Sequence, residues 1–244
     1  VFIGEMELDG LFGYETISTR LLKKFGTELM LSAYEKRKGD LPSPGKDVEN
    51  LQIARKFSDG FDIFAIEIIA NSIGMSDLAV GHPSSTASIS KPFGTNAKKD
   101  IGKHKTMIIS TGKGFSNNTL SKSLSSLWNC SDAIKDEGLA ILLAECKFGI
   151  GSDGIQSFID GRMNLENLRR PSQYVDGMEN LLYITEIQKK FQLGLLSILP
   201  THYTKKLNMM SFDGIQQVMD YILKNQGQKQ KVEVISDGAR TLLR

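Results

Sequence analysis

Ser110-Thr-Gly-Lys-Gly-Phe-Ser-Asn-Asn-Thr119 gathers residue types that together can hold an anion. Gly112 and Gly114 let backbone amides approach a carboxylate or phosphate, and Lys113 adds charge. Thr111 belongs to the same loop, and Asn117, Asn118 or Thr119 can cap a following helix. The spacing is not that of a Walker loop. A glycine turn leading into a capped helix would use the same residues.

Ala144-Glu-Cys-Lys-Phe-Gly-Ile-Gly-Ser-Asp153 is the second such segment. Glu145 closes an apolar run, where a buried carboxylate is costly without a partner or a task. Gly149 and Gly151 lead to Ser152 or Asp153, either of which can cap a helix. Cys146 has no sequence-adjacent histidine to activate it and reads as a buried thiol. His202 follows Pro200-Thr201 at a strand end, and imidazole is the side chain most often used for acid–base work. Asp237 and Arg240 can hold a ligand, or pair with each other on a helical turn. Glu145 and His202 are therefore the proton-transfer candidates. The ligand-binding candidates are Thr111 to Gly114, Asn117, Asn118, Gly149, Gly151, Ser152, Asp237 and Arg240. His82, in a polar loop, is a weaker site candidate and His104 lies beside lysines; no two of the three histidines are close in sequence, so no histidine-rich metal site is expected.

These segments share one position in the chain's grammar. Apolar runs at Thr106–Ser110, Leu139–Ala144, Leu193–Leu199 and Val232–Ile235 each stop at a polar or glycine-rich turn. The stretches between them predict helices over Asn118–Asn129, Asp153–Asp160, Ser172–Phe191, Thr201–Asn208 and Asp213–Asn225, with Gly161–Arg170 irregular. Alternation of this kind predicts an α/β fold with a mostly parallel, Rossmann-like sheet wound by crossover helices. Ligands of such sheets sit at the carboxyl ends of the strands, where all four turns would lie.

A smaller α/β portion is expected before it, with a boundary near residue 100: residues 1–100, then 101–244. Asp9-Gly10 and Phe12-Gly13 mark a turn, and a helix-like run covers Thr16 to Arg37. Lys38–Gly45 is a loop with two prolines and two glycines. A helix over Asp47–Phe57, a strand over Asp62–Ala70, a turn over Asn71–Asp77 and a hairpin partner at Leu78–Gly81 follow. Residues 82–103 read as a connector.

The chain has 244 residues, 40% hydrophobic and 24% charged, with a net charge of +2. That charge is too small to argue for nucleic acid or an anionic membrane, and no basic recognition helix is evident. No run of about 18 apolar residues occurs. The two cysteines read as reduced thiols of a cytoplasmic protein. The chain begins with Val1, so a fragment lacking its natural start is one expectation.

Met107-Ile-Ile-Ser-Thr-Gly-Lys-Gly-Phe115 and Glu137–Ser152, with its Ala-Glu-Cys-x-x-Gly-x-Gly pattern, resemble the carboxy-terminal domain of the nickel-dependent lactate racemase family. Upstream, Phe61–Ser72 with Ala79-Val-Gly-His-Pro83, and Asp9–Ile17, look like the family's apolar strand and hairpin and its Pro-Gly segment. The resemblance implies two α/β domains with a cleft between them and chemistry on a 2-hydroxy acid. It also implies a lysine-tethered nickel pincer nucleotide as hydride carrier, with histidines shuttling the hydroxyl proton. The family's tethering lysine falls at Glu5 and its nickel-binding histidine at Arg20 or Leu21. Its Tyr-Gln pair falls at Ser121-Lys122 and a later lysine at Ser125.

Three functions are therefore expected to compete. One is an enzyme of racemase ancestry acting on a small carboxylate or hydroxy acid, held by Lys113, Asn117 and Asn118. Another is a ligand sensor or regulator that lacks the cofactor residues and acts through a partner. The third is a partial chain whose missing segment carries the machinery.

Overall fold

The computed structural model describes residues 1–71, 73–227 and 229–244. Residue 72, within the expected Asn71–Asp77 turn, lies outside the described residues. The N-terminal segment is more regular than its sequence suggests. β1 (Phe2–Glu5), β2 (Glu7–Asp9) and β3 (Gly13–Glu15) precede α1 (Ile17–Phe25) and α2 (Thr27–Glu35). The expected single helix over 16–37 is thus two helices. They break at Gly26, whose amide closes α1 on the Leu22 carbonyl and where a side chain would collide with Leu22. Thr16 caps α1 reciprocally with Thr19.

α3 (Glu49–Ser58), β4 (Ala65–Ala70) and β5 (Met75–Gly81) follow, β4 pairing parallel with β1 and antiparallel with β5. The expected connector 82–103 is partly helical. Pro83 opens α4 (Pro83–Thr86) behind a His82 cap, and α5 (Ser90–Ala97) ends at β6 (Lys98–Lys99).

The parallel sheet then forms from β7 (His104–Ser110), β8 (Ile134–Leu143), β9 (Gln192–Leu196), β10 (Met210–Phe212) and β11 (Val232–Ile235). Its order is β10-β9-β8-β7-β11 and every pairing is parallel. The Rossmann-like α/β class expected from the alternation is therefore the class observed. Within this sheet, β10 is the strand that periodicity does not reveal. Three residues at a sheet edge carry no readable pattern. β9 stops before its apolar run ends, because Ser197 turns to donate its hydroxyl to the Glu145 carbonyl.

α6 (Leu120–Cys130), α7 (Asp153–Ile159), α8 (Leu165–Leu168), α9 (Met178–Gln188), α10 (Thr201–Lys206) and α11 (Ile215–Gln226) connect the strands. The 161–170 stretch, expected to be irregular, thus contains one helical turn. α9 starts later than expected, after left-handed Gly177. Alternate strand residues face opposite layers, as the pleat requires. Met107, Ile109, Ala140 and Leu142 pack with α6 and α9, whereas Ile108, Leu139 and Ile141 pack with Val218 and Ile222 of α11.

β12 (Leu242–Leu243) returns to pair with β6, and Leu242 joins Met6, Leu8, Tyr14 and Phe93 in an N-terminal core. The larger core joins Phe12, Leu22 and Tyr34 to Trp128 and Tyr183. No helix among the described residues is long and apolar enough to cross a membrane.

Candidate ligand cleft

All strands of the large sheet run the same way, so their polar C-terminal turns share one edge. The order changes direction between β7 and β11, the position where a crevice opens in such sheets. Gly238 donates to the Ser110 carbonyl, fixing the two turns side by side. Gly112 and Gly114 have φ of 77° and 106°, conformations that disfavour a side chain. Consequently the amides of Lys113, Gly114, Phe115 and Ser116 find no protein acceptor among the described residues. Four successive free N–H groups beside an exposed lysine form a concavity suited to an anion.

Asn117 is a staple rather than a free ligand group. Its Oδ1 accepts from the Thr111 hydroxyl at 3.0 Å and from the Glu145 amide at 2.7 Å, and its carbonyl accepts from Cys146. Thr111 is buried beneath the loop. Thr119, not either asparagine, caps α6. Glu145 is exposed, contrary to the buried carboxylate expected, because β8 ends at Leu143 and the chain has already turned outward. It shares an opening of about 400 Å³ with Gly112, Lys113, Gly114, Asn117 and Asn118.

Ser152 caps α7 and donates to the Asp176 carbonyl, while the Gly149 carbonyl accepts from Leu120; both serve the turn. Gly151 faces Thr119. Cys146 is buried with Sγ 3.6 Å from the Ser123 hydroxyl, and burial pushes its thiol pKa up, which disfavours a nucleophilic thiolate. His202 is exposed, stacked on Tyr203, and lines none of the openings described here. The structure does not bring it to Glu145 or Lys113. No helix carries Asp237 and Arg240, which lie in a turn, 3.6 Å apart.

The opposite wall of the cleft comes from the N-terminal segment. A cavity of about 250 Å³ has Lys113, Gly114 and Arg240 on one side and Glu5 and Glu7 on the other. Arg240 pairs with the Glu5 carboxylate at 3.0 Å. Arg20 donates to the Glu5 carbonyl at 2.6 Å and to Glu15 at 3.0 Å. Lys122 reaches Glu15 at 3.2 Å and Glu7 at 3.6 Å, and Lys23 reaches Asp9 at 3.0 Å. Burial alone would raise the Glu15 pKa, but Lys23, Lys122 and Arg20 hold it far below the usual carboxylate range. Glu7 is pushed up by burial and by Glu15. This network was not anticipated as a site. Its one signal is the alternation Glu5-Met-Glu-Leu-Asp9, which puts three acids on one face of an extended chain and two apolar residues on the other.

The positions that the resemblance assigns to the cofactor lysine and nickel histidine are Glu5 and either Arg20 or Leu21; Glu5 and Arg20 are engaged in ion pairs and Leu21 is buried in the core. Glu5 offers no amine for a covalent tether, and a guanidinium does not ligate a metal as an imidazole does. The residues present do not fit the pincer nucleotide. Among the described residues, no group of three His, Cys, Asp or Glu is arranged to hold a metal ion.

Glu67 on β4 anchors α1, which carries Arg20 and Lys23, by accepting from the Ile17 amide. Burial raises its pKa from 4.5 to about 7. The folded state therefore keeps a proton that the unfolded chain loses, and stability falls as pH rises from about 4.5 to about 7. Glu67→Gln keeps an acceptor for Ile17 and removes this titration. It is expected to flatten the decline in urea midpoint between pH 5 and pH 8, recovering up to about 3 kcal/mol at pH 8. Equal pH profiles for parent and variant would refute the assignment.

The fold is α/β, with a glycine-rich loop at the sheet edge facing an acidic wall from the N-terminal segment. No protein-family model and no curated protein matches the sequence. Among solved structures, the lactate racemase apoprotein from Thermoanaerobacterium thermosaccharolyticum superposes with a TM-score of 0.78 at 15% identity, over 99% of this chain and 62% of that one. A protein from Thermotoga maritima superposes with a TM-score of 0.66 at 10% identity, over 100% of this chain and 66% of that one. The chain spans less than two thirds of either neighbour's length, and its fold is lactate-racemase-like.

Proposed function

We propose that the protein binds a small anionic ligand, a 2-hydroxy acid or related carboxylate, between the β7 loop and the N-terminal acidic wall, in a cytoplasmic setting that keeps both thiols reduced. The observation that supports this reading is the run of free amides at Lys113–Ser116 beside the Lys113 ammonium. Likeness of fold to a racemase agrees with a hydroxy-acid ligand. Glu145, in the same opening as Lys113, is the group positioned to accept a proton. An isomerase on this scaffold would use that carboxylate in place of histidines.

A second reading, a sensor that binds without turnover, is supported by a separate observation. His82 is hydrogen-bonded to Ser84 and Phe61, His104 to Ile101, and His202 stacks on Tyr203, so no histidine stands at the cleft. One experiment separates the two. One enantiomer of lactate in deuterated water is followed for binding, loss of optical activity and exchange at the α-carbon. Turnover abolished by Glu145→Gln supports the isomerase; binding without turnover supports the sensor; absence of binding overturns both.

Lys113→Ala removes an exposed charge that makes no ion pair among the described residues. It is expected to weaken lactate binding by about tenfold, with an unchanged thermal midpoint. Unchanged affinity would move the ligand elsewhere.

A further inference from the structure

Behind the cleft lies a smaller chamber of about 140 Å³ whose charges do not balance. Glu7, Asp9, Glu15, Asp176 and Glu179 line it against Lys23 and Lys122. Arg20 adds a third cation from outside by reaching Glu7 and Glu15. Five carboxyl groups, three of them with pKa values raised chiefly by burial, thus meet three cations. Every ion pair formed there goes to Glu7, Asp9 or Glu15. Asp176 and Glu179 have no ion-pair partner among the described residues. Asp176 is exposed to solvent, whereas Glu179 is only 6% exposed. Glu179 accepts from the Tyr174 hydroxyl through Oε2, and its Oε1 is bonded to no other residue. Burial raises the pKa of Glu179 to about 7, only partly opposed by Lys23.

Two aromatic side chains complete the chamber. Trp128 and Tyr183 stand at 80° with ring centroids 5.7 Å apart. Trp128 donates its indole N–H to Asn180, which fixes the ring. Tyr183 is 1% exposed, and its hydroxyl has no hydrogen-bond partner among the described residues. The carboxyl of Glu179, whose Oε1 is bonded to no other residue, and the unpartnered Tyr183 hydroxyl thus border one space beside two aromatic rings. Carboxylate plus aromatic face is the combination that binds an organic ammonium group. The volume is close to that of a cavity able to take a benzene-sized guest.

We propose that this chamber binds the ammonium group of a small organic ligand, held by Glu179 with Asp176 and packed against Trp128 and Tyr183. Glu7, Lys122 and Ser125 line both this chamber and the cleft in front of it. The chamber and the cleft that the Lys113 loop borders are thus joined through shared walls. Resting on the anion-site reading above, this extends the ligand class from hydroxy acids to amino acids.

The test is a ligand-observed NMR titration of the purified chain with ethylammonium, alanine and lactate at constant ionic strength. Ethylammonium and alanine are expected to bind, and Glu179→Gln to weaken both by about tenfold or more while leaving lactate unaffected. Tyr183→Leu removes one aromatic face and is expected to weaken ethylammonium likewise, a second test at the same chamber should Glu179→Gln fail to fold. Failure of ethylammonium to bind, or equal binding by parent and folded variant, overturns the proposal. Lactate binding without ethylammonium or alanine binding would overturn the chamber and leave the anion cleft standing. Ethylammonium binding alone would keep the chamber, and overturn the anion cleft together with the amino-acid assignment.

Discussion

Gly151→Val is expected to destabilise the protein by about 3–5 kcal/mol, combining left-handed backbone strain with overpacking. Gly151 has φ of 68°, and a Cβ there would overlap three side-chain atoms of Thr119. Thr119 caps α6, so displacing it also forfeits a cap worth about 1 kcal/mol. The effect should reach the ligand loop, since the Leu120 and Ser121 amides donate to the Gly149 and Ile150 carbonyls. Gly149→Ala separates the causes. Its φ is 80°, but open space surrounds the added methyl, so only strain of about 1–2 kcal/mol is expected. Urea unfolding of the two variants checks both numbers. A Gly151→Val protein as stable as its parent would remove the reason for a tight turn there.

The second large effect concerns Lys23. Burial alone would lower its pKa, but Asp9, Glu15 and Glu179 hold it well above its ordinary value. Lys23→Met preserves most of the aliphatic stem and deletes the charge. Asp9 and Glu15 would each lose a partner, at 3.0 and 3.9 Å. Removing one member of a buried ionic cluster costs about 3–5 kcal/mol. With the cation gone the surrounding carboxyls bind protons more readily in the folded state, so the loss should be largest at high pH and shrink on acidification. Urea midpoints of parent and variant at pH 5 and pH 8 measure this. A pH-independent difference would mean that Lys23 acts through packing alone.

What was legible in the sequence follows from where the relevant interactions are local. The four main strands were readable because aliphatic runs such as Val232–Ile235 end at polar or glycine residues that a strand does not continue through. The carboxyl-edge loop was readable for the same reason. β1 to β3 were not, because Glu5, Glu7 and Glu15 interrupt the apolar signal with charges whose partners are distant. Lys122 lies 107 residues from Glu15, and Arg240 lies 235 from Glu5. No window of sequence shows such pairs. Glu145 was misjudged because an apolar run does not reveal the residue at which the chain leaves the sheet. His202 stands out in the sequence for its imidazole and its place after an apolar run, but where it points depends on how α10 turns after Pro200.

The pairing of β12 with β6 and of Arg240 with Glu5 sets an order of events during biosynthesis. The N-terminal core cannot close until Leu242 has emerged from the ribosome. At ordinary elongation rates that delay is roughly ten to fifty seconds. Throughout it, Met6, Leu8, Tyr14 and Phe93 lack the leucine that packs against them. A nascent chain stalled short of residue 242 would therefore display a sticky, unfinished amino-terminal half. Chaperone capture should peak on these intermediates and disappear once β12 pairs with β6.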